Sequence, residues 1–354
     1  MLAYLHIPFC DSKCHYCSFN SYTNMHDRVE SYMQALQSSL EYQLQKYALK
    51  SGSIETLFIG GGTPSVAGAA LYEPIFQTIT PYLQDGAEIT CEANPNSATK
   101  SWLSGMRNLG VNRLSFGVQS FNNKKLQQLN RAHNSQEAIK AIENAANIGF
   151  ENISLDIIYD FQGDSKELIQ SDLNLAFSLP INHISSYELT IEKATTFAKT
   201  PEVKSNQEQL GYYLRGLILK HEFKQYEVSN YGNYQSRHNL GYWQHKEYLG
   251  IGAGAVGYAN KERYYPHSNI DNFIKDPIFS KSEPLSKQDI QTEKILLGLR
   301  SIVGVPQGIL TKQMQERADI LCNEGKLELQ NGVYQNREFF LSDELSLFIM
   351  GTSG

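Results

Sequence analysis

The sequence predicts an α/β protein: an open, partial (β/α)6 TIM-like barrel followed by a small C-terminal α/β module. Three observations carry this. Six short apolar segments (2–7, 53–60, 87–95, 112–120, 151–161 and 181–190) read as strands, and helical stretches separate most of them. Such alternation implies a parallel sheet with right-handed crossovers. Six units are fewer than the eight of a closed barrel, and the alternation weakens after about residue 200. In such sheets ligands sit at the C-terminal ends of the strands.

Each element follows in order. LAYLHI (2–7) is a short buried strand, a cysteine-bearing loop follows it, and a helix runs from about Asp27 to Lys50. SIETLFIG (53–60) ends in Gly60-Gly61-Gly62-Thr63-Pro64, where backbone must bend or approach a ligand closely. A helix near 66–82 precedes the strand AEITCEANP, and SWLSGMRNLG (101–110) is a helix ending on glycine. NRLSFGVQS is the fourth strand. Asn134 and Glu137 then have capping-box spacing ahead of Ala138, Ile139, Ile142, Ala145 and Ala146 at helical period. ENISLDIIYDF and INHISSYELT complete the six strands. Residues 229–267, rich in Gly, Tyr, Asn and His, read as functional loop. Residues 286–300 form an amphipathic helix, and the tail reads as short helices with GVYQ and REFFL as small strands. The expected organisation is 1–230 barrel with its N-terminal cysteine loop, 231–285 an intervening segment, and 286–354 the small module.

Composition narrows the function. The chain has 354 residues, 41% hydrophobic and 19% charged, enough for a sizeable core. A net charge of −6 gives nucleic-acid binding little electrostatic support. No apolar run reaches the roughly 18 residues of a spanning helix. The N-terminus lacks a basic stretch followed by an apolar one, so a cytoplasmic chain is expected. Five cysteines, an odd number, argue against a disulfide framework.

Three of the cysteines, Cys10, Cys14 and Cys17, crowd into one short loop. Thiolates are soft ligands that suit iron–sulfur clusters or zinc. A structural zinc site takes four protein ligands, so His6 or His15 would have to be the fourth. A [4Fe–4S] cluster on three cysteines leaves one iron for a small molecule to chelate. Cys91 and Cys322 are isolated and read as core residues.

Cys-x3-Cys-x2-Cys with Tyr16 before the last cysteine resembles the radical S-adenosylmethionine (SAM) signature. That resemblance implies a barrel of the radical SAM type and a [4Fe–4S] cluster whose open iron is chelated by SAM. Reductive cleavage of SAM to a 5′-deoxyadenosyl radical is the chemistry it implies. HIPFCDSKCHYCSFNSY further resembles the oxygen-independent coproporphyrinogen oxidases and their haem-chaperone relatives of the HemW type. The likeness extends to GGGTPS, CEANP, FGVQSF, LNRAH, SLDIIY, SYELTIE and LLGLRSIVGV. It implies SAM contacts at Tyr4, Tyr16, Gly60, Gly61, Gly62, Thr63, Glu92, Gln119, Arg131 and Asp156, with Glu92 facing the ribose.

Two departures separate the chain from the oxidases. Those carry a further cysteine two residues after the third, where this chain has Phe19, and a longer segment before the first strand. The haem-chaperone branch has a His-Asn-x-x-Tyr-Trp motif, present here from His238 to Trp243. The resemblance implies haem on His238, with Tyr242 and Trp243 against the porphyrin. The glycine-rich stretch Tyr248–Ala255 is not a dinucleotide fingerprint, because it does not sit at a first βα turn. The expected function is a haem chaperone. Its expected partners are haem and apo-haemoproteins, respiratory ones among them, and peripheral membrane association is compatible with such acceptors. The alternatives are coproporphyrinogen oxidation and radical SAM methyl transfer.

Overall fold

The structure is a computed structural model and describes residues 1–351. Its central feature follows from the alternation seen in the sequence. Strands β1 (Leu2–Ile7), β2 (Ile54–Gly61), β3 (Leu83–Ala93), β4 (Arg113–Gln119), β5 (Asn152–Tyr159) and β6 (His183–Glu188) pair in parallel, each with the next.

The sheet continues beyond both ends of this set. β7 (Lys224–Gln225) and β8 (Asn230–Gly232) add antiparallel strands outside β6. β9 (Tyr248–Ile251) pairs in parallel with the other side of β1, and β10 (Gly257–Ala259), β11 (Glu262–Pro266) and β12 (Ser280–Pro284) follow it antiparallel. The order is β12-β11-β10-β9-β1-β2-β3-β4-β5-β6-β8-β7. The stretch 229–267, expected to be loop, therefore carries four short strands, β8 to β11, and a helix at Arg237–Trp243. The boundary drawn at 230 falls inside β8, and residues 231–285 extend the barrel sheet. These strands are two to five residues long, too short to display alternation. Their glycines serve packing: a Cβ on Gly250 would lie 2.1 Å from the Val256 carbonyl oxygen.

Period-two alternation divides the parallel strands into two faces. Leu5, Ile7, Leu57, Ile59, Cys91, Leu114, Phe116, Ile153 and Leu155 face outward into the main core, under helices that include 29–46 and 135–148. The residues between them point inward, and most are polar: Thr56, Glu88, Thr90, Glu92, Arg113, Ser115, Ser154, Asp156, His183 and Ser185. A closed barrel of this kind fills its interior with branched apolar side chains. Here the interior is hydrogen-bonding chemistry.

Local signals act as expected in most helices. Asn134 and Glu137 form the capping box, with Glu137 N donating to Asn134 Oδ1 at 3.0 Å and Asn134 N to Glu137 Oε2 at 2.8 Å. The helix expected over 66–82 is instead a short helix at Glu73–Ile79 between 3-10 turns. Pro64, Pro74 and Pro81 each sit at the start of one of these pieces and prevent a continuous helix.

The C-terminal residues form a small module with its own core of Ile295, Leu299, Val305, Leu321, Leu327, Tyr334, Leu345 and Ile349. Strands β13 (Val305–Pro306), β15 (Val333–Asn336) and β14 (Leu327–Gln330) make its antiparallel sheet. GVYQ largely coincides with β15. REFFL is a turn and 3-10 helix rather than a strand, because Glu338 caps Phe340 N and pairs with Arg215 of the barrel at 2.6 Å. Arg300 Nη2 makes a second tie, to Glu227 Oε1 at 2.6 Å.

Candidate cofactor site

The C-terminal ends of the parallel strands surround a cavity of about 410 Å³. Cys10, Cys14 and Cys17 lie on the loop after β1 and line it. None is in a disulfide. Backbone bonds shape this loop: Cys10 N donates to Tyr22 O at 3.0 Å, His15 N to Leu129 O at 3.2 Å, and Cys17 N to Cys14 O at 3.1 Å. Gly61, Gly62, Thr63, Glu92, Gln119, Arg131, Asp156 and Tyr187 complete the wall.

The glycines are required by close approach. Gly61 has φ +117°, and a Cβ there would strike the His6 ring at 2.5 Å. At Gly62 a Cβ would lie 2.7 Å from Phe9 O and 3.0 Å from Cys10 Sγ. At Gly60 it would lie 2.9 Å from Glu92 Oε2.

Arg131 ties the wall together. Its Nη1 donates to Cys14 Sγ and to Tyr16 Oη, both at 3.2 Å. Its Nη2 donates to Asn94 Oδ1 at 2.7 Å and to Gly117 O. Asn94 in turn donates to Thr63 Oγ1 at 3.1 Å, and Thr63 Oγ1 to Cys10 Sγ at 3.4 Å. Sequence reasoning missed Asn94, although CEANP marks its position.

Two carboxyl groups share the cavity. Glu92 Oε2 accepts from Gly61 N at 3.1 Å. Burial, with Asp156 nearby adding repulsion, pushes the Glu92 carboxyl up to about 8. Burial pushes Asp156 up to about 6, against hydrogen bonding from Ser185 and the charges of Arg113 and Arg131. Arg113 was also missed; it opens β4 inside the barrel. Two further polar atoms, Gln119 Oε1 and Arg131 Nε, are buried without a protein partner. Gln119 holds φ +71°, unusual for a residue with a side chain.

The donor set favours a cluster over zinc. Both His6 nitrogens are engaged, Nδ1 with Tyr4 Oη at 3.0 Å and Nε2 with Asn20 O at 2.8 Å. His15 Nδ1 meets Gln128 O at 3.1 Å. Among the described residues no group of three His, Cys, Asp or Glu could hold a single metal ion. Three thiols without a fourth protein donor, beside a cavity with unmet hydrogen-bonding capacity, fit a cluster that shares its remaining iron with a small molecule.

Tyr4 lies one layer lower. With His6, Phe19, Glu92, Tyr242, Tyr248 and Val256 it lines a second cavity of about 310 Å³. Phe19 and Glu92 border both cavities. Phe19 itself is 69% exposed.

The His-Asn-x-x-Tyr-Trp motif forms the helix Arg237–Trp243, capped by Ser236, at the opposite end of the barrel. His238 is 1% exposed. Its Nδ1 bonds Thr56 Oγ1 at 2.7 Å, and its ring lies 5.1 Å from Phe58 and 4.6 Å from Tyr242. Burial and the Arg113 charge lower its pKa to about 3. Glu88 holds the helix start, accepting from Tyr234 Oη at 2.7 Å, Arg237 N at 2.8 Å and His238 N at 2.9 Å. Trp243 is buried against Tyr226, and a Cβ on Gly241 would strike Leu2. Nε2 of His238 is buried without a protein partner. Of the residues expected to meet haem, His238 and Trp243 are buried at this end of the barrel, and Tyr242 also borders the second cavity.

The partial barrel with three cysteines after its first strand defines the class. Residues 4–176 match the Radical SAM superfamily. The chain also superposes on the coproporphyrinogen III oxidase HemN of Escherichia coli, a radical SAM enzyme, with a TM-score of 0.81. That match covers 98% of this chain and 89% of the other at 17% identity, a likeness of fold. Sequence kinship is narrower. The chain is 34% identical over 318 residues to the heme chaperone HemW of Lactococcus lactis subsp. lactis, covering 86% of this chain and 82% of that one. It is 33% identical to HemW of Bacillus subtilis, covering 86% and 84%. It is 38% identical to HemW of Escherichia coli over 72% of this chain and 69% of that one. The chain belongs to the HemW family of the radical SAM superfamily.

Proposed function

We propose that this chain is a haem chaperone that holds a [4Fe–4S] cluster on Cys10, Cys14 and Cys17, binds SAM beside it, and passes haem to apo-haemoproteins. Kinship to proteins named heme chaperone HemW, at 34% identity over four-fifths of the relative's length, carries the reading. Phe19 supports it, standing where the oxidases have a further cysteine.

A bound cluster and SAM supply one-electron chemistry at the cavity. The chain's own residues position them. Gly60, Gly61 and Gly62 let the methionyl amine approach backbone, and Glu92 accepts from the ribose hydroxyls. Gln119 and Arg131 line the same cavity, with Oε1 and Nε unpartnered by protein. Thr63 and Asp156 complete the polar wall, Tyr16 lines the same cavity, and Tyr4 lies beneath in the adjoining one. Apo-haemoproteins of respiratory chains are the proposed acceptors, reached from the cytoplasm; no helix of the described residues is long and apolar enough to cross a membrane.

Anaerobic reconstitution followed by haem titration tests the reading. A Soret band that forms on the chain, then moves to an added apo-haemoprotein, with coproporphyrinogen untouched, is the expected result. Coproporphyrinogen loss with 5′-deoxyadenosine formation and no haem binding would make the chain an oxidase instead.

A further inference from the structure

Gln119, the last residue of β4, is buried, lines the cysteine-bearing cavity and holds φ +71°. A residue with a side chain is strained in that left-handed region, and such strain persists where the surroundings over-determine it. The strand ladder is irregular at the same point. Phe116 pairs with Leu155 but Gln119 with Ile157, so β4 carries one residue more than β5 over this span. An extra residue of this kind re-aims side chains at a strand's end. Three groups outside the ladder fix the backbone around Gln119. Gly117 O accepts from Arg131 Nη2, and Val118 O meets His133 Nε2 at 3.1 Å. Beyond Gln119, the Asp172 carboxylate takes two donors at once, Ser120 Oγ at 2.6 Å on Oδ2 and Phe121 N at 2.8 Å on Oδ1.

Asp172 is buried on the helix Lys166–Ser178 and does not itself line the cavity. Its two oxygens meet the first two residues after Gln119. The Ser120 hydroxyl also accepts from Asn122 N at 3.0 Å, so one carboxylate orders the turn from Gln119 to Asn122. Gln119 Oε1 is buried without a protein partner, and a buried acceptor in that state gains from a donor on a ligand. We propose that Asp172 is a positioning residue for SAM: by gripping Ser120 and Phe121 it holds Gln119 in the left-handed conformation that keeps its side chain in the cavity wall. Oε1 accepts only, so its partner on SAM is a donor, the methionyl ammonium or a ribose hydroxyl.

This rests on the reading that SAM binds in the cavity. Wild type, Gln119→Ala, Asp172→Ala, Asp172→Asn and Ser120→Ala are reconstituted anaerobically, with Asp172→Ala and Ser120→Ala also combined with Gln119→Ala. Iron and sulfide are counted, and SAM is titrated calorimetrically. Gln119→Ala and Asp172→Ala should each weaken SAM about tenfold with cluster content unchanged. Their combination should be no weaker than Gln119→Ala alone, because Asp172 acts through Gln119; a merely structural role would add its own loss. Asp172→Asn should stay within about twofold of wild type, since its amide can accept from Phe121 N and donate to Ser120 Oγ. Ser120→Ala leaves the Phe121 bond in place, so it decides the matter if Asp172→Ala does not fold. It should weaken SAM about threefold alone and not at all beside Gln119→Ala. Wild type that carries a cluster but binds no SAM defeats the SAM reading and this inference with it. Where wild type binds SAM, unchanged affinity in Gln119→Ala or in the folded Asp172 and Ser120 variants overturns the positioning role alone, as do losses that multiply in the combined variants.

Discussion

The two ends of this barrel use the same side-chain types for opposite ends. At the floor, Glu88 accepts from Tyr234 and from the backbone of Arg237 and His238, and His238 Nδ1 is spent on Thr56. At the top, the cysteines, Gln119 and Arg131 line a cavity, and Gln119 Oε1 and Arg131 Nε lack protein partners. A carboxylate whose partners all come from the chain holds the chain together. Polar groups that converge with capacity to spare can hold something else. By that criterion Glu88 belongs to the floor and Cys10–Cys17 to the site, while His238 is held in the floor through Nδ1 and keeps Nε2 unpartnered.

The comparison breaks most sharply at Cys14. Cys14→Ser replaces a soft thiolate by an oxygen donor, and the chain should lose most of the roughly four irons of a cluster while staying folded. Iron and sulfide analysis with circular dichroism reads both. Full occupancy in the variant would move the ligand set elsewhere.

Floor residues should fail in stability instead. Glu88→Ala strands three donors in the interior and should cost about 3 kcal/mol. Urea unfolding should show it as a lower midpoint with unchanged slope. His238→Ala loses one hydrogen bond and ring packing, about 2 kcal/mol. Its haem affinity, read from the Soret titration at a temperature where it is folded, should equal wild type. A haem defect there without a stability loss would show that helix 237–243 leaves the floor to meet haem.

Much of this division was legible in the sequence. Cysteine spacing named the loop, and glycines after the second strand marked the close approach that the collisions at Gly61 and Gly62 explain. The six parallel strands followed from alternation. What stayed hidden depends on contacts between distant residues. His238 meets Thr56 across 182 positions, so its burial has no local signal. β9 to β12 are recognised only by the strands they join. REFFL looks like a strand until Arg215 engages Glu338 across 123 positions.

The smallest effect sharpens the role of the upper carboxyls. Glu92 titrates near 8 because burial and Asp156 disfavour its charge. A ribose diol donates to the ionised form, so SAM binding must first remove a proton below that pH. Affinity should therefore rise with pH, by at most about tenfold (about 1.4 kcal/mol) per unit, and level off above about 8. Stability of the ligand-free chain should run the other way. A carboxyl that binds its proton more tightly when folded favours folding below its ordinary pKa of 4.5, and that contribution is lost as pH rises to about 8. Asp156 adds the same sign between 3.8 and about 6. Glu92→Gln keeps a polar group without the proton equilibrium, so calorimetric SAM titrations across this range should flatten in the variant. A slope that persists in Glu92→Gln would assign the titration to Asp156 and leave Glu92 as a neutral hydrogen-bonding wall.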